Sequence, residues 1–210
     1  MKYDLVIWDF NGTLADDVDI GIESTNLLLR RRGMAEIESV EQYKELFGFP
    51  IIDYYKKLGF DFEKEPYDIV AREWVDEYLS RETAIKTNKN AEKTLAEIRS
   101  MGIGQIILSS SEIGMLEREL SLLGIREYFD AVLGIDNIHA GGKIEMAKRW
   151  AEGKSFSALL IGDTAHDFNT ARAIGADCVL FSGGHDSKNK LTACTENVID
   201  DIYDIIGFLK

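Results

Sequence analysis

Cysteine, proline and long apolar runs are all scarce in this sequence, and each shortage excludes a class of protein. The 210 residues include two cysteines, too few for a disulfide framework, and two prolines, too few for a disordered or linker-rich chain. No apolar run approaches the roughly 18 residues that a membrane-spanning helix needs, and the first residues do not resemble a signal peptide. We therefore expect a soluble, cytoplasmic protein that does not bind a membrane.

Positive charge is also in short supply. Lysine and arginine total 24 against 37 acidic residues, and the net charge is −13. Because such a chain repels phosphate backbones, we expect no nucleic-acid partner, and an anionic substrate must be met by locally placed cations or a metal ion. The length suits one core domain with an insertion. For the oligomeric state, a monomer and a homodimer are both compatible with the sequence.

The stretch from residue 4 to residue 17 is the most informative part of the first half of the chain. An apolar run from Leu5 to Trp8 predicts a short buried strand, which ends at Asp9 and is followed by Gly12. A carboxylate in this position stands where open α/β sheets bind ligands. The alternative is an acidic, glycine-containing turn without function. The second half of the chain favours the ligand site.

Residues 16–82 are predicted to be helical. Their apolar residues recur at helical spacing, and no run is typical of a strand. Pro50 breaks the pattern between two short helices, and Pro66 opens another helix. Helices are expected over residues 16–32, 40–47, 51–58 and 66–80.

Beyond residue 82 the pattern changes to strands that alternate with amphipathic helices. Buried strands are predicted over residues 105–108, 131–133, 157–161 and 177–181. Such alternation is typical of parallel βαβ units. The sequence therefore predicts an α/β fold, with a doubly wound, Rossmann-like parallel sheet formed by residues 1–15 and 83–210. Residues 16–82 are expected to form an all-helical cap inserted after the first strand.

Polar groups fall at the carboxyl ends of the predicted strands or in the adjoining loops. They are Asp9, the run Ser109-Ser110-Ser111, Lys143 in the loop Ala140-Gly141-Gly142-Lys143, and the segment Gly162-Asp163-Thr164-Ala165-His166-Asp167. Singly, the serines, Asp163 or Asp167 could be helix caps, and Lys143 could be a solvated side chain. Because the carboxyl ends of parallel strands meet at one edge, we expect all of these groups to converge on one crevice.

Together, these groups predict metal-assisted phosphoryl transfer. Asp9, Asp163 and Asp167 would repel one another unless a cation neutralises them, and Mg²⁺ is a hard ion that prefers oxygen ligands. Lys143 and a hydroxyl of the serine run then supply donors for oxyanions. One carboxylate remains free to attack phosphorus.

The same residues resemble the four ordered motifs of the haloacid dehalogenase-like hydrolase superfamily. The motifs are Asp9-Phe10-Asn11-Gly12-Thr13-Leu14, Ser109, Lys143 and Gly162-Asp163-Thr164-Ala165-His166-Asp167. A helical cap between the first two motifs resembles the phosphoglycolate phosphatase and β-phosphoglucomutase branch. The resemblance covers nearly the whole chain and implies a phosphatase for a small phosphorylated metabolite.

The resemblance also implies roles for single residues. Asp9 is expected to be the nucleophile and to form an aspartyl-phosphate. The implied catalytic residues are Asp9, Asn11 and Lys143. The implied Mg²⁺ site comprises Asp9, the backbone carbonyl of Asn11, Asp163 and, close by, Asp167. The implied phosphate-binding residues are Thr13, Ser109, Ser110 and Lys143.

Asn11 departs from the family pattern, which has a second aspartate at this position to protonate the leaving group and activate water. An amide cannot transfer a proton near neutral pH. Positioned acid–base catalysis typically contributes about 10²–10⁴-fold, so alkoxide leaving groups should suffer most.

Four explanations of Asn11 stay open. The substrate could have a good leaving group, such as an acyl or aryl phosphate. An acid could come from elsewhere, with His166 or a cap residue as candidates. The protein could bind a phosphorylated metabolite without useful turnover. Asn11 could also be an engineered change that traps a complex.

The cap gives little information about the substrate. The loop Phe47–Pro50 could reach into the active site or simply turn the chain. The cluster Arg30–Arg32 could meet a substrate carboxylate, although solvation of a helix end is the simpler explanation. Tyr54, Tyr55, Trp74 and Tyr78 are expected to be cap core rather than a ligand cage.

Overall fold

The computed structural model describes residues 2–135 and 142–210, and its largest element is a parallel sheet. The sheet comprises β1 (Leu5–Trp8), β4 (Gly104–Glu112), β5 (Ala131–Ile135), β6 (Ala158–Gly162), β7 (Asp177–Phe181) and β8 (Val198–Ile199). A separate antiparallel pair is formed by β2 (Ala15–Asp16) and β3 (Lys86–Thr87). The sheet confirms the predicted α/β class.

Helices cover both faces of the sheet and form the segment between β2 and β3. They are α1 (Val18–Arg31), α2 (Val40–Leu46), α3 (Ile51–Lys57), α4 (Tyr67–Leu79), α5 (Ala91–Ser100), α6 (Ile113–Leu122), α7 (Gly142–Ala151), α8 (Ala165–Ile174), α9 (Lys188–Cys194) and α10 (Ile206–Leu209). We refer to α1–α4 as the helical insert. Within the described residues, no helix combines the length and the apolar character needed to cross a bilayer.

The strand order β5-β4-β1-β6-β7-β8 places a topological switch point at β1. β4 pairs with one edge of β1, and β6, which follows later in the chain, pairs with the other edge. In such sheets, ligands bind beyond the carboxyl ends of the strands that flank the switch. Asp9, directly after β1, therefore stands at the expected crevice.

The core is divided by the sheet because successive strand residues face opposite sides. Val6 and Trp8 belong to a cluster on one face, and Ile7 to a cluster on the other. The helical insert has an apolar cluster of its own, which contains Leu28, Tyr54 and other buried residues. Tyr78 at the end of α4 packs instead into the first cluster and connects the insert to the sheet.

Three local predictions were wrong. The serine run lies inside β4, which extends to Glu112 through a register shift rather than ending at residue 108. Lys143 belongs to the first turn of α7 and not to a preceding loop, of which Ala140 and Gly141 lie outside the described residues. The helical pattern of residues 201–209 predicts a closing helix, but the structure has a 3₁₀ turn followed by the short α10.

Candidate active site

Asp9 and Lys143 form the centre of the site. The Asp9 amide donates to the Ile161 carbonyl at 2.8 Å, which fixes the residue between β1 and β6. The Lys143 ammonium contacts the Asp9 carboxylate and donates to Asp167 Oδ1 at 2.5 Å. The Lys143 side chain is only 3% exposed, so its charge is held between two carboxylates with little solvent.

Asp163 is oriented by two donors. Thr13 Oγ1 donates to its Oδ1 at 2.9 Å, and the His185 amide donates to its Oδ2 at 2.6 Å. Gly12 allows this close approach, because a Cβ there would stand 2.4 Å from Asp163 Oδ2 and its φ of +71° lies in the left-handed region. Glycine at position 12 is therefore required by both space and backbone conformation.

Asp167 combines a structural role with its contact to Lys143. It forms a capping box with Thr164 at the start of α8, where Thr164 Oγ1 donates to Asp167 Oδ2 at 2.6 Å. The cap satisfies backbone donors at the helix end and fixes the carboxylate. The alternative of a helix cap and the predicted position near Lys143 are therefore both observed.

The three carboxylates could hold a cation. Oxygen atoms of Asp9, Asp163 and Asp167 lie within 4.8 Å of one another, and all three residues are buried. Burial and then the charge of Asp167 raise the pKa of Asp9 well above its usual range, although Lys143 opposes them. Burial also raises the pKa of Asp163 to about 6, although the charge of His185 opposes it. Three carboxylates face one lysine here, so negative charge is in excess. A set of oxygen donors with excess negative charge fits Mg²⁺.

A cavity of about 200 Å³ opens above Asp9. Its floor is polar and includes Asp9, Lys143, Ser109 and Ser110, whereas Thr13 is buried below the floor against Asp163. The wall that the helical insert supplies is mostly aromatic. It comprises Tyr43, Phe47, Phe49, Tyr54, Tyr55, Trp74 and Tyr78. Residues expected to be cap core therefore also line the site, and the loop Phe47–Pro50 reaches it.

The sequence model of haloacid dehalogenase-like hydrolases matches residues 6–181. The chain belongs to this family. Among curated relatives, the phosphoglycolate phosphatase of Rhodobacter capsulatus is 25% identical over 191 residues, covering 86% of this chain and 84% of that protein. The tyrosine-protein kinase PtkA of Mycobacterium tuberculosis is 24% identical over 214 residues, covering 97% and 72%.

The fold of the family is present over the whole chain. A haloacid dehalogenase-like family hydrolase from Streptococcus pneumoniae superimposes with a TM-score of 0.85, covering 100% of this chain and 99% of its own. Its sequence identity is 16%, so this likeness concerns the fold alone.

Asn11, the departure from the family pattern, is fully engaged by its neighbours. Its Nδ2 donates to Asp17 Oδ2 at 2.8 Å and to the Tyr78 hydroxyl at 2.9 Å. Its Oδ1 accepts a hydrogen bond from Ser111 Oγ at 2.8 Å. A residue held as both donor and acceptor is well suited to positioning groups, and it offers no transferable proton.

Asp17 and His185 are site residues that sequence reasoning missed. His185 Nε2 lies 3.3 Å from Asp17 Oδ1, and His185 Nδ1 hydrogen-bonds the Tyr43 hydroxyl at 2.8 Å. Burial alone would lower the pKa of His185, but the charge and hydrogen bond of Asp17, together with the charges of Asp163 and Asp9, outweigh it and raise the pKa to about 9. Position 185 follows β7 in a glycine-containing turn, and this location after a strand was the available signal.

The predicted acid candidate His166 has a different environment. Its ring stacks on Phe49 with centroids 4.6 Å apart. Burial and the charge of Lys143 lower the pKa of His166. The structure therefore supports a neutral His166 on the cavity wall.

The arginine cluster of the insert does not face the cavity. Its members pair with glutamates, with Arg30 on Glu36, Arg31 on Glu73 and Glu77, and Arg32 on Glu65 and Glu73. These ion pairs support the simpler explanation, in which the cluster belongs to the surface of the helices rather than to the substrate site.

Proposed function

We propose that this chain is a Mg²⁺-dependent phosphatase that hydrolyses a small phosphorylated molecule through an aspartyl-phosphate on Asp9. The observation that carries the proposal is the contact of Asp9 with Lys143, beside Asp163 and Asp167, on the floor of a cavity at the switch point of the sheet. A buried carboxylate with a buried lysine and further oxygen donors suits nucleophilic attack on phosphorus.

In the first step, a carboxylate oxygen of Asp9 attacks phosphorus, and the bond between phosphorus and the ester oxygen breaks. The leaving oxygen keeps the electron pair. Lys143 neutralises Asp9 and offers a donor to the phosphoryl oxygens, and Ser109 and Ser110 on the cavity floor offer hydroxyl donors.

In the second step, a water oxygen attacks phosphorus and gives up a proton to solvent, while the bond from phosphorus to Asp9 breaks and its electron pair returns to the carboxylate. Inorganic phosphate leaves, and the Asp9 carboxylate is restored. Mg²⁺, held by Asp9, Asp163 and the backbone carbonyl of Asn11 with Asp167 nearby, would supply positive charge against the phosphoryl oxygens. Thr13 supports the site through its hydrogen bond to Asp163 rather than by binding phosphate.

The relatives and the architecture support this proposal. The family model is one of hydrolases, and both relatives named above have phosphoryl chemistry in their names. We favour hydrolysis over transfer to a protein because the cavity is small and faces a wall of the same chain. The insert, residues 16–82, would then act as a cap over the sheet domain, although residue 16 itself pairs in β2.

The test is phosphate release from p-nitrophenyl phosphate and acetyl phosphate with MgCl₂. We expect turnover that EDTA removes and that Asp9→Asn abolishes, with the exposed Asp76→Asn as a matched control. Acid quench and mass spectrometry should detect phosphate on Asp9. Absence of turnover across a broad phosphate panel would instead support a binding protein without catalysis, the alternative that Asn11 raises.

A further inference from the structure

The aromatic wall and Asn11 together indicate the chemical class of the leaving group. This inference rests on the proposed phosphatase function. The wall faces the nucleophile, and Phe47, Phe49 and Trp74 present rings to the cavity. Phe47 and Phe49 contact each other edge to face at 5.8 Å, and Phe49 is 39% exposed. Aromatic side chains bind another ring favourably in such offset or edge-to-face arrangements.

Within the part of the chain that the structure describes, the cavity offers no free cation to a second anionic group on the substrate. Among the described residues that line the cavity, only Lys143, His166 and His185 can carry positive charge. Lys143 is held by Asp9 and Asp167, His185 contacts Asp17, and His166 is stacked on Phe49. A carboxylate or a second phosphate would therefore be desolvated without a partner, which is costly.

The one acidic side chain among the described residues beside the wall is already paired. Asp17 lines the cavity and is 2% exposed, with oxygens that accept hydrogen bonds from Asn11, Tyr78 and the Gly12 amide and lie 3.3 Å from His185 Nε2. Because its partners satisfy it, this pair offers no free charge of either sign to a charged leaving group. The part of the substrate beyond its phosphate is therefore expected to be uncharged and apolar.

Asn11 adds a chemical requirement. This amide cannot donate a proton, and both ring nitrogens of His185 are engaged by Asp17 and Tyr43, so the leaving oxygen departs most easily as a stable anion. A phenol such as the tyrosine side chain has a pKa near 10. An alkyl alcohol has a pKa comparable to that of water, roughly 15.7, which is about six units higher. A phenolate therefore leaves without help far more easily than an alkoxide.

We propose that the substrates are small, uncharged aryl phosphate monoesters whose ring lies against Phe47, Phe49 and Trp74. Asp9 attacks phosphorus, the bond from phosphorus to the aryl oxygen breaks, and the aryloxide leaves with the electron pair and takes a proton from water. Water then attacks phosphorus and loses a proton to solvent, the bond from phosphorus to Asp9 breaks, and inorganic phosphate leaves the restored Asp9 carboxylate.

The first test separates ring recognition from leaving-group chemistry with phenyl, benzyl and cyclohexyl phosphate. Phenyl phosphate combines an aromatic ring with a phenolate leaving group. Benzyl phosphate has the aromatic ring but an alkoxide leaving group, and cyclohexyl phosphate has a saturated ring and an alkoxide leaving group. We expect kcat/KM for phenyl phosphate to exceed both others by about a hundredfold or more, the lower end of what a positioned acid contributes. Equal kcat/KM values for phenyl and cyclohexyl phosphate would overturn the proposal.

The second test uses the wall itself. Phe49→Ala is expected to lower kcat/KM for phenyl phosphate about fivefold to tenfold more than for acetyl phosphate, mainly through KM, because only phenyl phosphate has a ring. Phe47→Leu should act in the same direction, and Ile69→Ala, an exposed apolar residue of the same insert, is the control. Equal losses on both substrates would exclude ring binding by this wall.

Acetyl phosphate also separates the two proposals. It lacks a ring but has a good leaving group, so its hydrolysis by wild type and not by Asp9→Asn supports the phosphatase function alone. If acetyl phosphate is hydrolysed while phenyl phosphate is not preferred over cyclohexyl phosphate, the aryl proposal fails and the phosphatase proposal stands. If neither acetyl nor phenyl phosphate is hydrolysed, both fail.

Discussion

The floor of the cavity and the surface of the helical insert each hold a cation between two carboxylates, but at different depths. On the floor, Lys143 is held between Asp9 and Asp167 and is 3% exposed. In the helical insert behind the wall, Arg32 is held between Glu65 and Glu73 and is 19% exposed. The cost of losing a cation rises with burial because the remaining carboxylates have no solvent. The comparison predicts that the floor depends on its ion pairs more strongly than the helical insert does.

The largest expected effect comes from Lys143→Met. Removal of one partner from a buried ion pair costs about 3–5 kcal/mol, because the remaining charges stay buried without compensation. We therefore expect the free energy of unfolding in EDTA to fall by about this amount and phosphatase turnover to be lost. Urea denaturation measures the first effect. A loss below about 1 kcal/mol would show that the floor tolerates unpaired carboxylates.

The second largest effect is expected at Glu119, a buried carboxyl group in the sheet domain, and concerns stability as a function of pH. Glu119 on α6 is 2% exposed, and neither of its oxygens has a hydrogen-bond partner among the described residues. Burial, and after it the charge of Asp17, raises the pKa of Glu119 to about 7. The folded protein thus binds more protons than the unfolded chain between about pH 4.5 and 7, so stability falls as pH rises through this range.

Glu119→Gln should therefore stabilise the protein at pH 8 by about 3 kcal/mol, since the pKa rises from 4.5 to about 7 and one pKa unit corresponds to roughly 1.4 kcal/mol. The gain should vanish below about pH 4.5, where the carboxyl is protonated in both states. Urea denaturation across this pH range tests the prediction, with the exposed Glu127→Gln as control. A gain that does not change with pH would assign the effect to packing instead.

The floor was predictable from sequence and the wall was not. Asp9 and Asp163 directly follow strands, and Lys143 lies at the start of the helix that follows β5. A parallel sheet brings such positions together whatever the details of the loops. His185 and Tyr43 are 142 residues apart, and their contact depends on how the insert packs. Two-residue strands such as β2 are too short to leave a periodic signal. The double role of Tyr54 and Trp74 depends equally on tertiary packing.

A smaller effect is expected from Asn11→Asp, which restores a proton donor to the floor. The rate on benzyl phosphate should rise tenfold or more, whereas phenyl phosphate should change little because its leaving group needs no proton. The preference for phenyl over benzyl phosphate should therefore narrow. Urea denaturation must accompany the kinetics, because the new carboxylate lies beside Asp17. An unchanged benzyl phosphate rate would mean that another group carries the proton.

The smallest effect is expected from Arg32→Met, the counterpart of Lys143→Met in the insert. Arg32 also donates to the Leu28 carbonyl at 2.9 Å, but its glutamate partners reach solvent, so its removal should cost about 1 kcal/mol. About 1 M salt should reduce this difference because it screens exposed charges, and kcat/KM for phenyl phosphate should match wild type. If Arg32→Met and Lys143→Met lower the free energy of unfolding by similar amounts, burial does not determine the cost of losing the cation. A small, salt-sensitive loss at Arg32 beside a large one at Lys143 would mean that burial, rather than ion pairing itself, makes the floor dependent on its charges.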